Sequence, residues 1–373
     1  MSAARRSPEP LLSFSSAELR SAESTIVFDP KPLPADPDAP RKRWYHYVPV
    51  CVTVFLILVF HPSLLYVLVD FHLQTMHQPV IFMIHLLVTY TLTFMALSSL
   101  IVCVARDPGP ANAPPSRLEG ASGEGEEIGL TEALMPDHDF SSPARWCRKC
   151  WAPKGERTHH CSICGRCVLK MDHHCPWIGA KCIGHRTYPA FVHFLCSVSF
   201  LSLYVATLSI HALWYAFNNP FAVHEFTPVH ELVLAFAGVA FTLIIGSFAA
   251  YHIYLSITNQ TTIENITPFM LLRHLPPLPR SGHSLSDPPL EPELSFKQRR
   301  LVRTAHGRIL VYDVGWRKNL SQVFGWTGKY GLLYRLWCGG ASPGDGKNFP
   351  RNPRAEEMLA KLAKALVDAD ANQ

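Results

Sequence analysis

Four stretches of this chain contain no lysine or arginine: residues 47–69, 80–105, 189–217 and 229–257. Each is apolar and long enough to cross a bilayer core, which takes about 20 helical residues. Only 229–257 carries an acidic residue, Glu231 near its start. The alternative is a soluble protein that buries four uncharged helices of this length in one core, which its low share of charged residues, 17%, also argues against. Residues 47–69 begin too late, and lack the small-residue cleavage pattern, to be a removable signal peptide. The expected fold is therefore an all-α integral membrane protein with four transmembrane helices.

The basic residues fix an expected orientation. Of 34 Lys and Arg, seven precede Tyr47, including Arg41-Lys42-Arg43, eleven lie between Arg106 and Arg186, and sixteen follow Ile257. The connections at 70–79 and 218–228 have none. The positive-inside rule then predicts both termini and the long middle loop in the cytosol. The net charge of +5 is modest and distributed this way, so it signals a bilayer as partner and no nucleic acid.

The parts follow from composition. Residues 1–44 form a Pro/Ser/Ala-rich tail expected to be disordered, and 45–105 hold the first two spans, with a kink expected at His61-Pro62. Residues 106–145 are a linker in which Glu124, Glu126 and Glu127 read as a solvated acidic cluster. A cytosolic Cys/His-dense module occupies 146–188, spans three and four 189–257, and a cytosolic tail 258–373. In that tail 276–292 is Pro-rich and expected to be extended or disordered. Residues 356–367 can form an amphipathic helix with Leu359, Leu362 and Leu366 on one face, set against the membrane or against the protein. Three glycosylation sequons, at Asn259, Asn265 and Asn319, fall on the expected cytosolic side and should carry no glycan.

Seven of the eleven cysteines lie between Cys147 and Cys182. Cys147/Cys150 and Cys161/Cys164 are Cys-x-x-Cys pairs, and Cys167 continues the spacing. Such pairs let thiolates converge on a tetrahedral ion, and a reducing cytosol disfavours disulfides. Two closed Cys₃His zinc sites would use six cysteines, which leaves one of the seven over. Counting does not say which. Cys175 is the best candidate, because it directly follows Asp172-His173-His174: an imidazole activates a thiol and a carboxylate orients the imidazole.

At these residues the sequence resembles the DHHC protein acyltransferases (palmitoyltransferases). The resemblance is carried by His159-His160-Cys161, Val168-Leu169-Lys170-Met171, Asp172-His173-His174-Cys175-Pro176-Trp177 and Cys182-Ile183-Gly184-His185. Outside the module, Asp107-Pro108-Gly109, Thr261-Thr262-Ile263-Glu264, and Asn319 through Phe324-Gly325 are similar to further motifs of that family. The resemblance covers roughly residues 45–330. It implies one structural zinc on Cys147, Cys150, His160 and Cys167, and a second on Cys161, Cys164, His174 and Cys182. It implies Cys175 as nucleophile, His173 as its base, and Asp172 as polariser of His173. Thr262 would contact the segment near Asp172, Asn319 would tie the tail to the core, and Trp177 would lie near the thioester of an acyl-CoA. One departure is that Cys175 to Cys182 is one residue longer than the usual spacing, with Gly179-Ala180-Lys181 where the family has Asn-Asn; a loop containing glycine can absorb the residue.

The implied reaction is a two-step transfer: Cys175 takes a fatty acyl group, such as palmitoyl, from acyl-CoA, and a cysteine of a membrane-associated protein substrate takes it from Cys175. The implied location is an endomembrane (endoplasmic reticulum, Golgi or vacuole) or the plasma membrane. A different class, a membrane-tethered zinc adaptor or RING-like ligase scaffold, would share the interleaved ligands. It leaves Asp172, His173 and a surplus cysteine unexplained. A transporter is weakened by the lack of paired charges in the spans. Span histidines His85, His193, His211 and His252 read as hydrogen-bonded packing residues, and Cys51, Cys103 and Cys196 as small apolar ones. Arg299 and Arg300 read as contacts to CoA phosphates or, more simply, to anionic lipid.

Overall fold

Proline positions set where the spanning helices begin and where the first one breaks. The computed structural model describes residues 43–109, 146–147, 149–150, 152–278, 284–325 and 331–371, all within the unit Pro40–Gln373. The other unit, Met1–Ala39, lies outside the described residues, as do the linker with Glu124, Glu126 and Glu127 and residues 279–283 of the Pro-rich stretch.

Among the described residues, four helical segments are long and apolar enough to cross a membrane: Trp44–Thr75, Pro79–Ala105, Tyr188–Asn218 and Thr227–Thr258. The first is interrupted. Its helices α1 (Val48–Leu58) and α2 (His61–Leu68) part at Val59-Phe60, because Pro62 has no amide to donate to the carbonyl four residues back. A π-helical turn, Val69–Thr75, then carries the segment beyond the span expected from sequence. The extension is held by a specific bond: Asp70 is buried and accepts from the Thr227 hydroxyl at 2.6 Å, joining the end of the first span to the start of the fourth.

Helices α3 (Pro79–Ala105), α4 (Tyr188–Asn218) and α5 (Thr227–Thr258) each have proline in the first turn, where its missing amide costs nothing. α4 and α5 approach closely at Gly238, where a Cβ would lie 2.8–2.9 Å from the backbone and side chain of Ala206. Large apolar residues such as Phe94, Phe200, Phe236 and Leu243 face outward, as a lipid-contacting surface requires.

Between α3 and α4 lie three two-stranded antiparallel hairpins: β1 (Trp146–Cys147) with β2 (Ala152–Pro153), β3 (His159–Cys161) with β4 (Arg166–Val168), and β5 (His173–Cys175) with β6 (Lys181–Ile183). The Asp107-Pro108-Gly109 segment leaving α3 is stitched to them. Gly109 accepts from the Leu169 amide at 2.9 Å and Pro108 from the Arg186 amide at 3.2 Å. Asp107 caps the Gly109 amide and pairs with Arg166 at 2.8 Å. Gly184 completes the join, since a Cβ there would meet Val168 at 2.7 Å.

After α5 come α6 (Thr262–Ile266), α7 (Phe296–His306), α8 (Trp316–Phe324), α9 (Gly331–Cys338) and α10 (Pro353–Ala371). The tail has its own core, in which Leu271 and Leu272 pack with Val302, Leu359, Leu362 and Leu366. Of the two placements open for the 356–367 helix, the protein-facing one is found. The described parts of the Pro-rich stretch, residues 276–278 and 284–292, are packed, with Leu278 and Leu285 buried in the same core. α9 lies against α3, where Trp337 meets Phe94 edge-on at 5.4 Å and the Ser98 hydroxyl bonds the Trp337 carbonyl.

Candidate active site and metal centres

The hairpin registers bring the cysteines together. His160 faces Cys167 across β3–β4, and His174 faces Cys182 across β5–β6. Cys147, Cys150, His160 and Cys167 form one cluster and Cys161, Cys164, His174 and Cys182 another, with the donor atoms of each within 4.8 Å of one another. Both histidines present Nδ1. In the first cluster Nδ1 lies 3.6, 3.2 and 3.9 Å from Cys147, Cys150 and Cys167 Sγ. In the second it lies 3.6, 3.4 and 3.7 Å from Cys161, Cys164 and Cys182 Sγ, and Cys164 and Cys182 Sγ are 3.6 Å apart. A tetrahedral zinc with ordinary bond lengths separates S from N by about 3.6 Å and S from S by about 3.8 Å. Two Cys₃His clusters can thus hold metal ions, and their donor chemistry and spacing fit zinc.

The extra residue before Cys182 is absorbed in the turn. Pro176–Ile178 form a single 3-10 turn, and Gly179 and Ala180 both adopt left-handed backbone, with φ of 76° and 47°. Cys182 therefore still stands opposite His174. Lys181, opposite Cys175, donates to the Val104 and Arg106 carbonyls at 2.6 and 3.0 Å and so ties this hairpin to the end of α3.

Cys175 lies outside both clusters and is buried. Beside it, His173 Nδ1 donates to Asp172 Oδ2 at 2.6 Å. Asp172 is almost wholly buried and also accepts from the Thr262 amide (Oδ1, 2.9 Å) and the Thr262 hydroxyl (Oδ2, 2.8 Å). Burial by itself would raise the Asp172 carboxyl, but the bond and charge of His173 outweigh it and hold the carboxyl below its usual range. Burial likewise opposes charge on His173, yet Asp172 and the neighbouring Cys175 push it up to about 9.

The Thr-Thr-x-Glu segment is locked by its own cap. The Thr261 hydroxyl accepts from the Glu264 amide and the Glu264 carboxylate accepts from the Thr261 amide, a capping box. Glu264 also receives both Arg157 Nε (2.7 Å) and Nη2 (2.6 Å). Arg157 is fully buried, with its guanidinium over the Tyr312 and Phe349 rings at 4.4 and 4.9 Å. Asn319 is buried on α8; its amide donates to the Ile257 carbonyl at 2.6 Å and to Asp313 at 2.7 Å, which fastens the tail to the end of α5. Asn259 and Asn319, two of the three sequon asparagines, are 1% and 0% exposed, which leaves no room for a glycan at either.

A cavity of about 440 Å³ lies among α1, α2, α4 and α5. Cys175 and Trp177 line it, and its wall on α5 runs from Phe248 to Leu234, about 21 Å of helical rise. Its lining is almost entirely apolar, with Thr53, His61 and Ser202 as exceptions. Trp177 is 54% exposed, and its carbonyl accepts from Thr53 at 3.3 Å.

Some residues here had no signal in the motifs. Asn259 ends α5 in left-handed backbone and accepts from Arg157 and Lys170 while donating to the Tyr312 carbonyl and Gln322. An asparagine just past a helix is a recognised stop signal, but nothing local announces those partners. His252, expected to be a packing residue, lies beside Asp172 and His173. His85 and His193 bond Tyr204 and the Leu336 carbonyl, away from this site.

Residues 141–268 match the profile of the DHHC palmitoyltransferase family. A probable protein S-acyltransferase 14 of Arabidopsis thaliana is 34% identical over 256 residues, 66% of this chain and 70% of that protein. This chain belongs to the DHHC palmitoyltransferase family. Two further members are a palmitoyltransferase pfa3 of Aspergillus fumigatus, 36% identical over 45% of this chain, and the human palmitoyltransferase ZDHHC15, 32% identical over 60% of it. The match spans 30% of the Aspergillus protein and 55% of the human one. As a DHHC family member with four apolar helices, the chain is a multi-pass membrane protein.

Proposed function

We propose that this chain is a protein S-acyltransferase that moves a fatty acyl group, palmitoyl in the first instance, from acyl-CoA to Cys175 and then to cysteine thiols of membrane-associated proteins. The observation that carries the reading is a thiol outside both metal clusters, next to an Asp172–His173 pair and lining an apolar cavity among the spans. The Cys175 thiolate, its proton held on His173, attacks the thioester carbonyl, the C–S bond to CoA breaks, and the CoA thiolate leaves with that proton from His173. In the second step His173 takes the proton of the incoming thiol, whose sulfur displaces Cys175 from the acyl carbon. Asp172, itself held by Thr262, keeps the His173 ring in position. Trp177 lines the cavity together with Cys175, which supports a contact between its ring and the thioester. Burying each methylene contributes about 0.8 kcal/mol, so a long chain is held firmly by such a lining.

In this reading two Zn²⁺ are held by Cys147, Cys150, His160 and Cys167, and by Cys161, Cys164, His174 and Cys182. Sites with four protein ligands leave no open position, so the metal supplies shape and no chemistry. Residues 146–188 are then the catalytic module. The distribution of Lys and Arg supports a cytosolic position for it and for both termini, in an endomembrane or the plasma membrane.

The test is self-labelling of the purified chain with palmitoyl-CoA. Wild type should acquire one hydroxylamine-sensitive acyl group, and Cys175→Ser none, with zinc near two per chain in both. Loss of zinc from Cys175→Ser would make Cys175 a ligand and end the reading. Unlabelled wild type would favour the zinc-adaptor class.

A further inference from the structure

His252 stands out as a polar group that the proposed chemistry has not used. It lies on α5, is 0% exposed, and its Nε2 has no hydrogen-bond partner among the described residues. One of its ring nitrogens lies within 4.8 Å of both an Asp172 carboxylate oxygen and a His173 ring nitrogen. Seventy-nine residues of sequence separate it from His173, so the fold and not local spacing makes this contact.

The ring is held from several sides. Its Nδ1 and its carbonyl both meet the Tyr188 hydroxyl at 3.3 Å. Phe248 packs edge-on at 4.6 Å and Phe191 at 5.1 Å. Phe191 also packs edge-on against His173 at 5.2 Å, and the two imidazoles are 5.9 Å apart. His173 therefore sits in a box whose walls are Phe191 and His252, and only the second wall carries nitrogen.

A packing role alone would not require that nitrogen. A buried nitrogen without a partner is unfavourable, and phenylalanine would fill the same space without it. The three groups also lie close enough together to hold a metal ion. Asp172, however, already accepts from Thr262 twice and from His173, and His173 Nδ1 is used in that bond. The donor set is committed to hydrogen bonding.

We infer that His252 is a positioning residue: fixed by Tyr188, it walls the His173 ring against Phe191 and presents a ring nitrogen to the Asp172–His173 pair. A fixed polar group beside a pair whose proton shifts during each half-reaction holds the ring in the orientation that serves Cys175. The inference rests on the acyl-transfer reading.

The experiment uses the full chain in detergent, with palmitoyl-CoA, and the variants His252→Phe, His252→Gln and Tyr188→Phe. Each is measured for kcat and KM, zinc content and thermal unfolding. His252→Phe should keep KM for palmitoyl-CoA and two zincs while kcat falls about ten- to a hundredfold, the scale of a small misplacement of a catalytic group. His252→Gln, which restores a polar atom near the Nε2 position, should recover part of that loss. Wild-type kcat in His252→Phe overturns the inference. So does an equal fall in Phe and Gln that tracks lost thermal stability, which is the signature of packing. A third zinc in wild type that is missing from His252→Phe overturns it in favour of a metal site. If His252→Phe does not fold, Tyr188→Phe decides: lower kcat at unchanged KM supports the inference and wild-type kcat removes it. Wild type that fails to label at Cys175 would sink the acyl-transfer reading itself, a result separable from all of these.

Discussion

Thr262 grips both oxygens of Asp172, its amide on Oδ1 at 2.9 Å and its hydroxyl on Oδ2 at 2.8 Å. The carboxylate that orients His173 is thus itself oriented by a residue ninety positions away. Thr262→Val keeps the shape and the amide bond and removes the hydroxyl. Self-acylation should slow about ten- to a hundredfold, with zinc content unchanged and KM for acyl-CoA within error. A burst assay of CoA release measures it; undiminished kcat would show the hydroxyl to be dispensable.

Arg157 and Glu264 form a nearly dry ion pair, 1% and 13% exposed. Breaking such a pair from one side costs about 3–5 kcal/mol, because the remaining charge stays buried. Glu264→Gln should therefore lower the unfolding temperature markedly. Burial pushes the Glu264 carboxyl up, but Arg157 outweighs it and holds the carboxyl below its ordinary value of 4.5. The folded state thus binds this proton less readily than the unfolded chain. Its contribution to stability is complete above pH 4.5 and fades as pH falls through the folded value. The difference in unfolding temperature between wild type and Glu264→Gln should narrow as pH falls below 4.5.

Lys170 also holds its proton less firmly in the folded state than in the unfolded chain. Burial, reinforced by Arg157, brings its ammonium down from 10.5 to about 7, against the pull of Glu264 and Asp172. Between those values the unfolded chain holds more protons, so stability from this group rises with pH across the window from 7 to 10.5. Lys170→Met should remove that slope, and its effect on unfolding temperature should be most favourable below pH 7. An unaltered pH slope in the variant would mean that Lys170 is charged throughout.

The hairpins of residues 146–188 are two or three residues per strand, too short to persist unaided. Chelation should release about two zincs per chain, consistent with ligand sets that are structural. The module should then become protease-sensitive while the four spans keep their helical circular dichroism. Retained activity in metal-free protein would contradict a structural role for the clusters.

Ala180 sits in left-handed backbone at φ 47°, a conformation that costs a residue with Cβ about 1–2 kcal/mol. Ala180→Gly should raise the unfolding temperature slightly and leave zinc content and activity unchanged. A loss of either would mean that the turn depends on the stiffness of alanine.

What could be read from the sequence depended on range. The spans announced themselves by composition, and the Cys/His spacing could be matched to ligand number because zinc imposes it locally. The Asp172-His173-Cys175 cluster was legible because its members are neighbours in the chain. His252 was not: in sequence it is one histidine among apolar residues, and only the antiparallel packing of α4 and α5 brings it to His173. Asp70 was read as loop because charge ends a hydropathy run, whereas its bond to Thr227 lets the helix continue. In the tail core the face of Leu359, Leu362 and Leu366 was legible from its period, but its partners Leu271 and Leu272 were not, because they lie far away in sequence.

Lys181 joins two things that belong to different environments. Its ammonium holds the last carbonyls of α3, a helix apolar enough to lie in lipid, and its backbone pairs with Cys175. The strand bearing Cys175 is thereby tied to the end of that helix. Bilayers of different thickness tilt their helices differently, and here such a tilt reaches the Cys175 sulfur through a cross-strand pair, so that the lipid surroundings act on that thiol as a lever acts on its load.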